Sequence, residues 1–330
     1  MNVLYILGNG FDMAQGMKTS YPDFYQYLMD NTNDGSPLLQ ELKKDINSEK
    51  KLWSDMEEAF GQFTSKVNTA QELEDLYFEL SDNLRKYLLT EEDAFIPSEE
   101  LKRKFVEDFI NPEKYMGEVD TMKYNIFVEK LESDFDTSNL DINVMTFNYT
   151  DTLEKLLSLD AAKDMGRYFE YGCYLKKVVH VHGRLNDSII IGVDNEKQIA
   201  NERFREIQDV TDFLIKRQSY EVMKYNRHKT CEDLIYDANL IILYGVSLGK
   251  TDAYWWNLIG ENLTDRDNLC VIQYLYKPDI ILPTRKQLLG RTERLQLQCV
   301  MEKFGIKSEK YRNYIKDRLI FITNSNVFKI

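Results

Sequence analysis

Hydrophobic and polar positions divide the chain into two kinds of pattern. Between residues 21 and 136, apolar residues recur at steps of three and four, which predicts amphipathic helices. One such series is Leu52, Met56, Ala59, Phe60 and Phe63, and another is Leu73, Leu76, Tyr77, Leu80, Leu84, Tyr87 and Leu88. Within this stretch, Pro97-Ser98-Glu99-Glu100 predicts a helix start and Asn111-Pro112 predicts a break. We therefore expect a long helical block.

The rest of the chain alternates short apolar runs with charged segments that are long enough for helices. The runs cover residues 3–7, 142–147, 178–181, 189–193, 240–244, 269–275 and 319–322. Unbroken apolar strands that alternate with helices predict a mainly parallel sheet covered on both faces. We expect an α/β fold whose core comprises residues 1–20 and 137–330, with residues 21–136 as a helical insertion.

Polar and glycine-rich segments follow four of the predicted strands. They are Gly8-Asn9-Gly10-Phe11-Asp12, Asn148-Tyr149-Thr150-Asp151, His180-Val181-His182-Gly183, and Gly245-Val246-Ser247-Leu248-Gly249 with Asp252 close behind. In parallel sheets, ligands bind beyond the carboxyl ends of the strands. Packing alone does not account for four such ends in one sheet, so we expect a ligand site there.

The first of these segments is the strongest indication of a nucleotide. If the chain turns helical near Phe11, the backbone of Gly8 and Gly10 faces a helix N-terminus, which attracts phosphate. A full dinucleotide fingerprint would have a third glycine at position 13, where this chain has Met13. Ordinary turn chemistry is the alternative explanation.

The next two segments also have structural and chemical interpretations. Asn148, Thr150 and Asp151 could cap the following helix, or Asn148 could contact a ligand. The alternation of His180 and His182 along a strand predicts that both face one side. The only other histidine is His228, so we expect no metal site. His182 is expected to be the more exposed and to transfer a proton or bind a ribose hydroxyl, with His180 as a buried supporting residue.

The segment from Gly245 to Gly249 matches the G-x-S-x-G nucleophile elbow of α/β-hydrolases. The hydrolase order places a histidine after the serine and the acid, and this chain has no histidine after position 228. A serine hydrolase is therefore not expected. Ser247 and its flanking glycines suit a phosphate or ribose contact instead.

Composition narrows the classes of partner and location. The net charge is −13, which disfavours non-specific nucleic-acid binding. Residues 1–140 carry a charge of −15 and residues 276–330 carry +7; the basic end could be a solvated face, or it could bind RNA, an acidic partner or the acidic half of the chain. The four cysteines lie far apart, which predicts reduced thiols. No long apolar stretch or signal-peptide pattern is present, so we expect a cytoplasmic protein without a membrane span.

Taken together, the segments at the strand ends resemble the AbiH family of bacterial abortive-infection proteins. The resemblance rests on Gly8-Asn9-Gly10-Phe11-Asp12 with Gly16, Thr19, Tyr21 and Phe24, on Phe147-Asn148-Tyr149-Thr150 with Leu153 and Glu154, on His180-x-His182-Gly183, and on Gly245-x-Ser247-Leu248-Gly249 with Asp252. That family resembles in turn the sirtuin-type NAD-binding domains. The resemblance implies a Rossmann-like, sirtuin-type core and a role in anti-phage defence.

The same resemblance assigns roles to individual residues. It implies that Asn148 and His182 lie by the nicotinamide ribose and are catalytic. It also implies that the cofactor is bound by Gly8, Asn9, Gly10, Asp12, Thr19, Gly245, Ser247 and Asp252. The four-cysteine zinc module of sirtuin deacetylases is missing, and Thr150 stands where related NAD-consuming enzymes tend to have Asp. Protein deacetylation is therefore not expected.

The function expected from the sequence is hydrolysis of NAD to nicotinamide and ADP-ribose in infected cells. Nicotinamide is already cationic in NAD, so the leaving group needs no general acid. A nucleotide-sensing or scaffolding protein, with the helical insertion contacting a partner or a second copy, is the alternative. An RNA-directed toxin acting through the basic end is the third possibility.

Overall fold

A seven-stranded sheet forms the centre of the molecule. The structure is a computed structural model, and it describes residues 1–134, 139–158, 163–168, 171–277 and 283–329. The strands are β1 (Asn2–Leu7), β2 (Asn139–Thr146), β3 (Lys163–Tyr168), β4 (Tyr171–His180), β5 (Leu240–Tyr244), β6 (Cys270–Leu275) and β7 (Leu319–Thr323). Their order is β3-β4-β2-β1-β5-β6-β7. All neighbours pair in parallel except β3 and β4, which confirms a mainly parallel sheet.

Two of the strand predictions need correction. Residues 189–193 do not form a strand and make only isolated bridges, between Gly183 and Ile189 and between Val193 and Ile215. The run is apolar because Ile190, Ile191 and Val193 are buried, and burial alone does not require pairing in a sheet. The antiparallel edge strand β3 was not predicted, and residues 178–181 cover only the end of the longer β4.

Helices occupy the block between β1 and β2, as predicted. They are α1 (Gly10–Ala14), α2 (Tyr21–Asn31), α3 (Pro37–Ser48), α4 (Met56–Phe63), α5 (Ala70–Ala94), α6 (Glu99–Ile110) and α7 (Glu118–Asp134). Local sequence explains several ends. Thr69 and Glu72 form a capping box at the start of α5. Ser98 caps α6, and α6 ends directly before Asn111-Pro112.

The remaining helices connect the later strands. They are α8 (Thr152–Leu157), α9 (Glu202–Arg205), α10 (Gln208–Leu214), α11 (Lys216–Val222), α12 (Arg227–Asp237), α13 (Ala253–Asp265), α14 (Leu289–Lys303) and α15 (Glu309–Ile315). Within the described residues, none of the helices combines the length and apolar character needed to cross a bilayer.

Three apolar clusters show how the helices cover the sheet. Residues of α6, α7 and α8 pack on one face, where Tyr5 lies against Phe109. Residues of α12, α13 and α14 pack on the other face. Helices α2 to α5 form a third cluster with residues 185–215. The helical block therefore covers one sheet face with α6 and α7, and its first helices stand over the ends of the strands. Its predicted end at residue 136 lies outside the described residues.

Candidate functional site

The ten predicted site residues surround one cavity of about 500 Å³ at the carboxyl ends of β1, β2 and β5. These residues are Gly8, Asn9, Gly10, Asp12, Thr19, Asn148, His182, Gly245, Ser247 and Asp252. Helices α2, α4 and α5 also border the cavity, through Tyr21, Glu57 and Leu84. The fold therefore brings together the residues that the sequence predicts to form one site. Their roles in binding or catalysis stay predictions.

The glycines of the first loop have a packing role. A Cβ atom on Gly10 would lie 2.6 Å from the Cα of Gly245, and one on Gly8 would lie 2.7 Å from the Gly245 carbonyl oxygen. Gly245 itself has a φ of +69°, which favours glycine. The N–H groups of Gly8 and Gly10 donate to the carbonyls of Tyr244 and Gly245, both at 3.0 Å. Two donors expected to face phosphate are therefore already used, and α1 has only five residues.

Asn9 and Thr19 hold each other beside this loop. The Asn9 Nδ2 donates to the Thr19 carbonyl at 2.8 Å, and the Thr19 hydroxyl donates to the Asn9 Oδ1 at 2.5 Å. Both residues line the cavity. Their mutual bonds fix the position of the chain after α1.

Asp12 is a buried carboxylate in the cavity wall, with only 2% of the residue exposed. It accepts hydrogen bonds from the Asn148 Nδ2 at 3.0 Å and from the Thr150 hydroxyl at 2.6 Å. Burial raises the pKa of Asp12 to about 7, because these neutral donors only partly replace water. A carboxyl group with that pKa can both accept and donate a proton near neutral pH.

The contacts of the second loop argue against one of its two interpretations. Asp151 occupies the N-cap position of α8 but makes no side-chain cap bond. Asn148 and Thr150 instead use their side chains on Asp12, which lies 136 and 138 residues away in the chain. The helix-cap alternative is therefore wrong for these residues.

His182 is held by two polar partners. The phenol of Tyr220 lies 2.7 Å from the Nδ1 of His182, and the carboxylate of Asp252 lies 2.9 Å from the Nε2. A carboxylate only accepts, which assigns the proton to Nε2 and leaves Nδ1 to accept from the phenol. Burial, followed by the nearby Lys216 ammonium, lowers the pKa of His182. His182 is therefore neutral at pH 7, and a ligand can reach a ring nitrogen only by displacing a partner.

Two expectations about the histidines are wrong. His182 is no more accessible than His180, since the exposed fractions are 4% and 5%. The two side chains also do not share a face. His180 contacts the Asn148 carbonyl and Glu154 of α8, whereas His182 contacts Tyr220 in the cluster on the opposite face. Strand β4 ends at His180 and the chain then turns at Gly183, whose φ is +92°, so strand alternation stops.

A buried ion-pair network behind the cavity was missed from the sequence. The Lys216 ammonium lies 2.7 Å from Glu57 of α4 and 2.9 Å from Asp252. Burial alone would lower the pKa of Lys216, but the two carboxylates raise it above its usual range, so Lys216 is charged. Glu57 also accepts from the Gly192 N–H and the Thr251 hydroxyl. No local pattern marks these residues, because the pairing joins positions 159 residues apart.

Ser247 lines the cavity without a catalytic histidine bonded to it. His182 is the one histidine of the described residues that lines this cavity, and both its ring nitrogens bond elsewhere. The loop is held instead by Trp256, whose indole N–H donates to the Gly249 carbonyl at 2.9 Å.

Three side chains outside the cavity lining are close enough together to bind a metal ion, but one of them already pairs with an arginine. Ligand atoms of Asp151, Glu154 and His180 lie within 4.8 Å of one another. The guanidinium of Arg184 binds both oxygens of Asp151, at 2.7 and 2.6 Å. A metal ion would have to compete with this bidentate pair.

A known protein family matches the part of the chain that contains the four strand-end segments. The family model described as "Bacteriophage abortive infection AbiH" matches residues 4–274, which include every cavity-lining residue named above. No match is found among the curated proteins. The match confirms the resemblance seen in the sequence, and the chain belongs to the AbiH family of bacteriophage abortive infection proteins.

Proposed function

We propose that the cavity binds NAD and hydrolyses the bond between nicotinamide and ribose, and that this activity serves abortive infection. The observation that carries the proposal is the convergence of the four strand-end segments on one cavity, with the buried Asp12 carboxyl in its wall. The strand order of the sheet supports this proposal. Counted along the chain, its six parallel strands have the order 3-2-1-4-5-6, which is the order of dinucleotide-binding Rossmann folds, as in the expected sirtuin-type core.

The proposed reaction separates bond cleavage from water addition. The glycosidic bond breaks and its electron pair leaves with nicotinamide, which becomes neutral. The ribose cation that remains is attacked by water, and the Asp12 carboxylate accepts the proton that the water loses. A pKa of about 7 suits Asp12 to this step. Asn148, which donates to Asp12 at 3.0 Å, orients both the carboxylate and the water.

His182 has a different part in this scheme. Both its ring nitrogens are bonded and the ring is neutral. Its Nε2–H can donate to a ribose hydroxyl only if the bond to Asp252 is exchanged for one to the ligand, and its Nδ1 can accept from a hydroxyl only if the bond to Tyr220 is exchanged. We therefore assign proton transfer to Asp12 and positioning of the ribose to His182.

A sensing or scaffolding protein is the second candidate function, and a specific observation favours it. The donors of Gly8 and Gly10, the side chain of Asn9 and both nitrogens of His182 are all satisfied without a ligand. A site that is complete in itself can bind a nucleotide without turning it over. This candidate predicts saturable NAD binding and no products.

The test is incubation of the purified chain with NAD, followed by chromatography of nicotinamide and ADP-ribose. We expect release of both products by the parent and by Asp82→Asn, which removes an exposed carboxylate on α5. Asp12→Asn and Asn148→Ala should lower the rate at least about a hundredfold, the usual contribution of a positioned acid–base group. Intact NAD with the parent protein contradicts the proposal, and full activity in both variants contradicts the assigned roles.

A further inference from the structure

The charged residues in the described lining of the cavity are all acidic. Three carboxylates line it, from Asp12, Glu57 and Asp252, and the lining formed by the described residues contains neither lysine nor arginine. The three carboxylates come from different parts of the chain: helix α1 after β1, helix α4 and the segment after β5. The acidic character is therefore a property of the assembled site, not of one acidic stretch of sequence.

The buried cation behind the cavity offsets only part of this charge. Lys216 is the ammonium that contacts both Glu57 and Asp252, so one positive charge faces two carboxylates. Among the described residues, the side chains that hydrogen-bond to Asp12 are all neutral and belong to Asn148, Thr150 and Thr152. Burial raises the pKa of both Asp12 and Glu57 to about 7, so with His182 neutral the negative charge around the cavity increases as the pH rises above 7.

Aromatic side chains complete the lining. Tyr21, Phe147, Tyr149 and Trp256 all border the same space. Aromatic faces combined with buried carboxylates attract organic cations, because the ring quadrupole and the carboxylate charge act in the same direction. A flat ring with delocalised positive charge fits such a lining better than a neutral ring of the same shape.

We infer that this cavity is a site for a flat aromatic cation, and that it selects the pyridinium form of a nicotinamide ring over neutral forms. The inference rests on the proposed NAD site and narrows its ligand to the oxidised cofactor, whose ring is cationic. Its basis is the joint placement of Asp12, Glu57 and Asp252 with four aromatic residues around about 500 Å³. Reduced NADH carries a neutral ring and should bind more weakly for the same reason.

Two small probes test the charge preference without any bond to hydrolyse. N1-methylnicotinamide is a permanent cation, and nicotinamide has the same ring and carboxamide without the charge. Calorimetric titration of the full chain at pH 8, where the Asp12 and Glu57 carboxyls are mostly ionised, should show binding of the cation at least about tenfold tighter, as expected for a charged ligand beside a desolvated carboxylate. Equal affinities, or no binding of the cation, overturn the inference, and neither result depends on a variant that must fold.

Matched variants assign the preference to the cavity. Asp12→Asn should weaken binding of N1-methylnicotinamide about tenfold and leave nicotinamide binding unchanged. The control Asp82→Asn removes the same charge from the exposed surface of α5 and should change neither affinity. An equal loss for both probes in Asp12→Asn indicates a damaged site and contradicts the charge assignment.

The outcome separates this inference from the proposed function. A cation preference with intact NAD refutes hydrolysis alone and leaves a cation-selective binding site. Release of nicotinamide from NAD together with equal probe affinities refutes the cation preference alone.

Discussion

Replacement of Asp12 by Asn should stabilise the protein at alkaline pH. The pKa of Asp12 is about 7 in the fold against an ordinary value of 3.8. Ionisation of Asp12 in the folded protein therefore costs about 4 kcal/mol more than in the unfolded chain. Asn has the same shape and no charge to desolvate. Its carbonyl can still accept from Asn148, while the bond to Thr150 must rearrange.

The sign of the pH dependence follows from proton binding. Below about pH 4 the carboxyl is protonated in both states and costs nothing. Between about pH 4 and pH 7 the unfolded chain has released this proton while the folded protein keeps it, so stability falls as pH rises. Above about pH 7 both states are ionised and the full penalty is present. The variant lacks this decline.

The assay is urea unfolding of the parent and of Asp12→Asn at pH 5 and pH 8, followed by tryptophan fluorescence. The difference in the free energy of unfolding, variant minus parent, should increase by about 3 kcal/mol between the two pH values. Asp82→Asn, which removes an exposed carboxylate, should follow the parent at both. A difference that does not change with pH would refute the claim that Asp12 is ionised at a cost.

Three further changes test other parts of the structure. Gly10→Ala places a Cβ 2.6 Å from the Gly245 Cα and should cost about 3 kcal/mol in thermal unfolding, whereas Gly117→Ala, with nothing within 4 Å, should be neutral. Lys216→Ala leaves two buried carboxylates without their cation and should cost about 3–5 kcal/mol in urea unfolding. Nitrogen NMR of labelled histidines should show His182 neutral at pH 6.5 with its proton on Nε2.

Each of these has an outcome that contradicts it. Equal stability of the two glycine variants would mean that the loop after β1 does not pack against the loop after β5 as described. An Lys216→Ala variant as stable as the parent would show that Glu57 and Asp252 are not charged together. A His182 ring that is protonated at pH 6.5 would place its pKa above the usual value, opposite to the effect of burial.

Local sequence patterns predicted the elements whose signals are themselves local. The apolar runs at β1, β2 and β5 lie in the centre of the sheet, where both faces are buried, so hydrophobicity identifies them directly. The start of α6 at Ser98 is predictable from the sequence because a helix cap is a contact within one turn. The edge strand β3 has a charged and glycine-containing sequence, Lys163–Tyr168, and such an edge gives no apolar run.

The sequence predicts which residues surround the cavity but not which of their side chains contact each other. Strand-end positions identify which loops meet, because the carboxyl ends of parallel strands share one edge. They do not say which side chains pair. Asp12 follows β1 and accepts a hydrogen bond from Asn148, which follows the neighbouring strand β2. Lys216 pairs with Glu57 of α4 and with Asp252 after β5. These partners depend on three-dimensional placement, so the sequence does not identify a residue such as Glu57 as part of the site.

The most direct test of the account is a crystal structure of the chain with carba-NAD, in which a methylene group replaces the ring oxygen of the nicotinamide ribose. Because this analogue resists hydrolysis, the parent protein can be used. We expect the analogue to fill the cavity lined by Gly8, Asn148 and Ser247. Asp12 should then reach the anomeric carbon through one bound water. An analogue bound outside this cavity, or a cavity left empty at saturating concentration, would contradict the central claim.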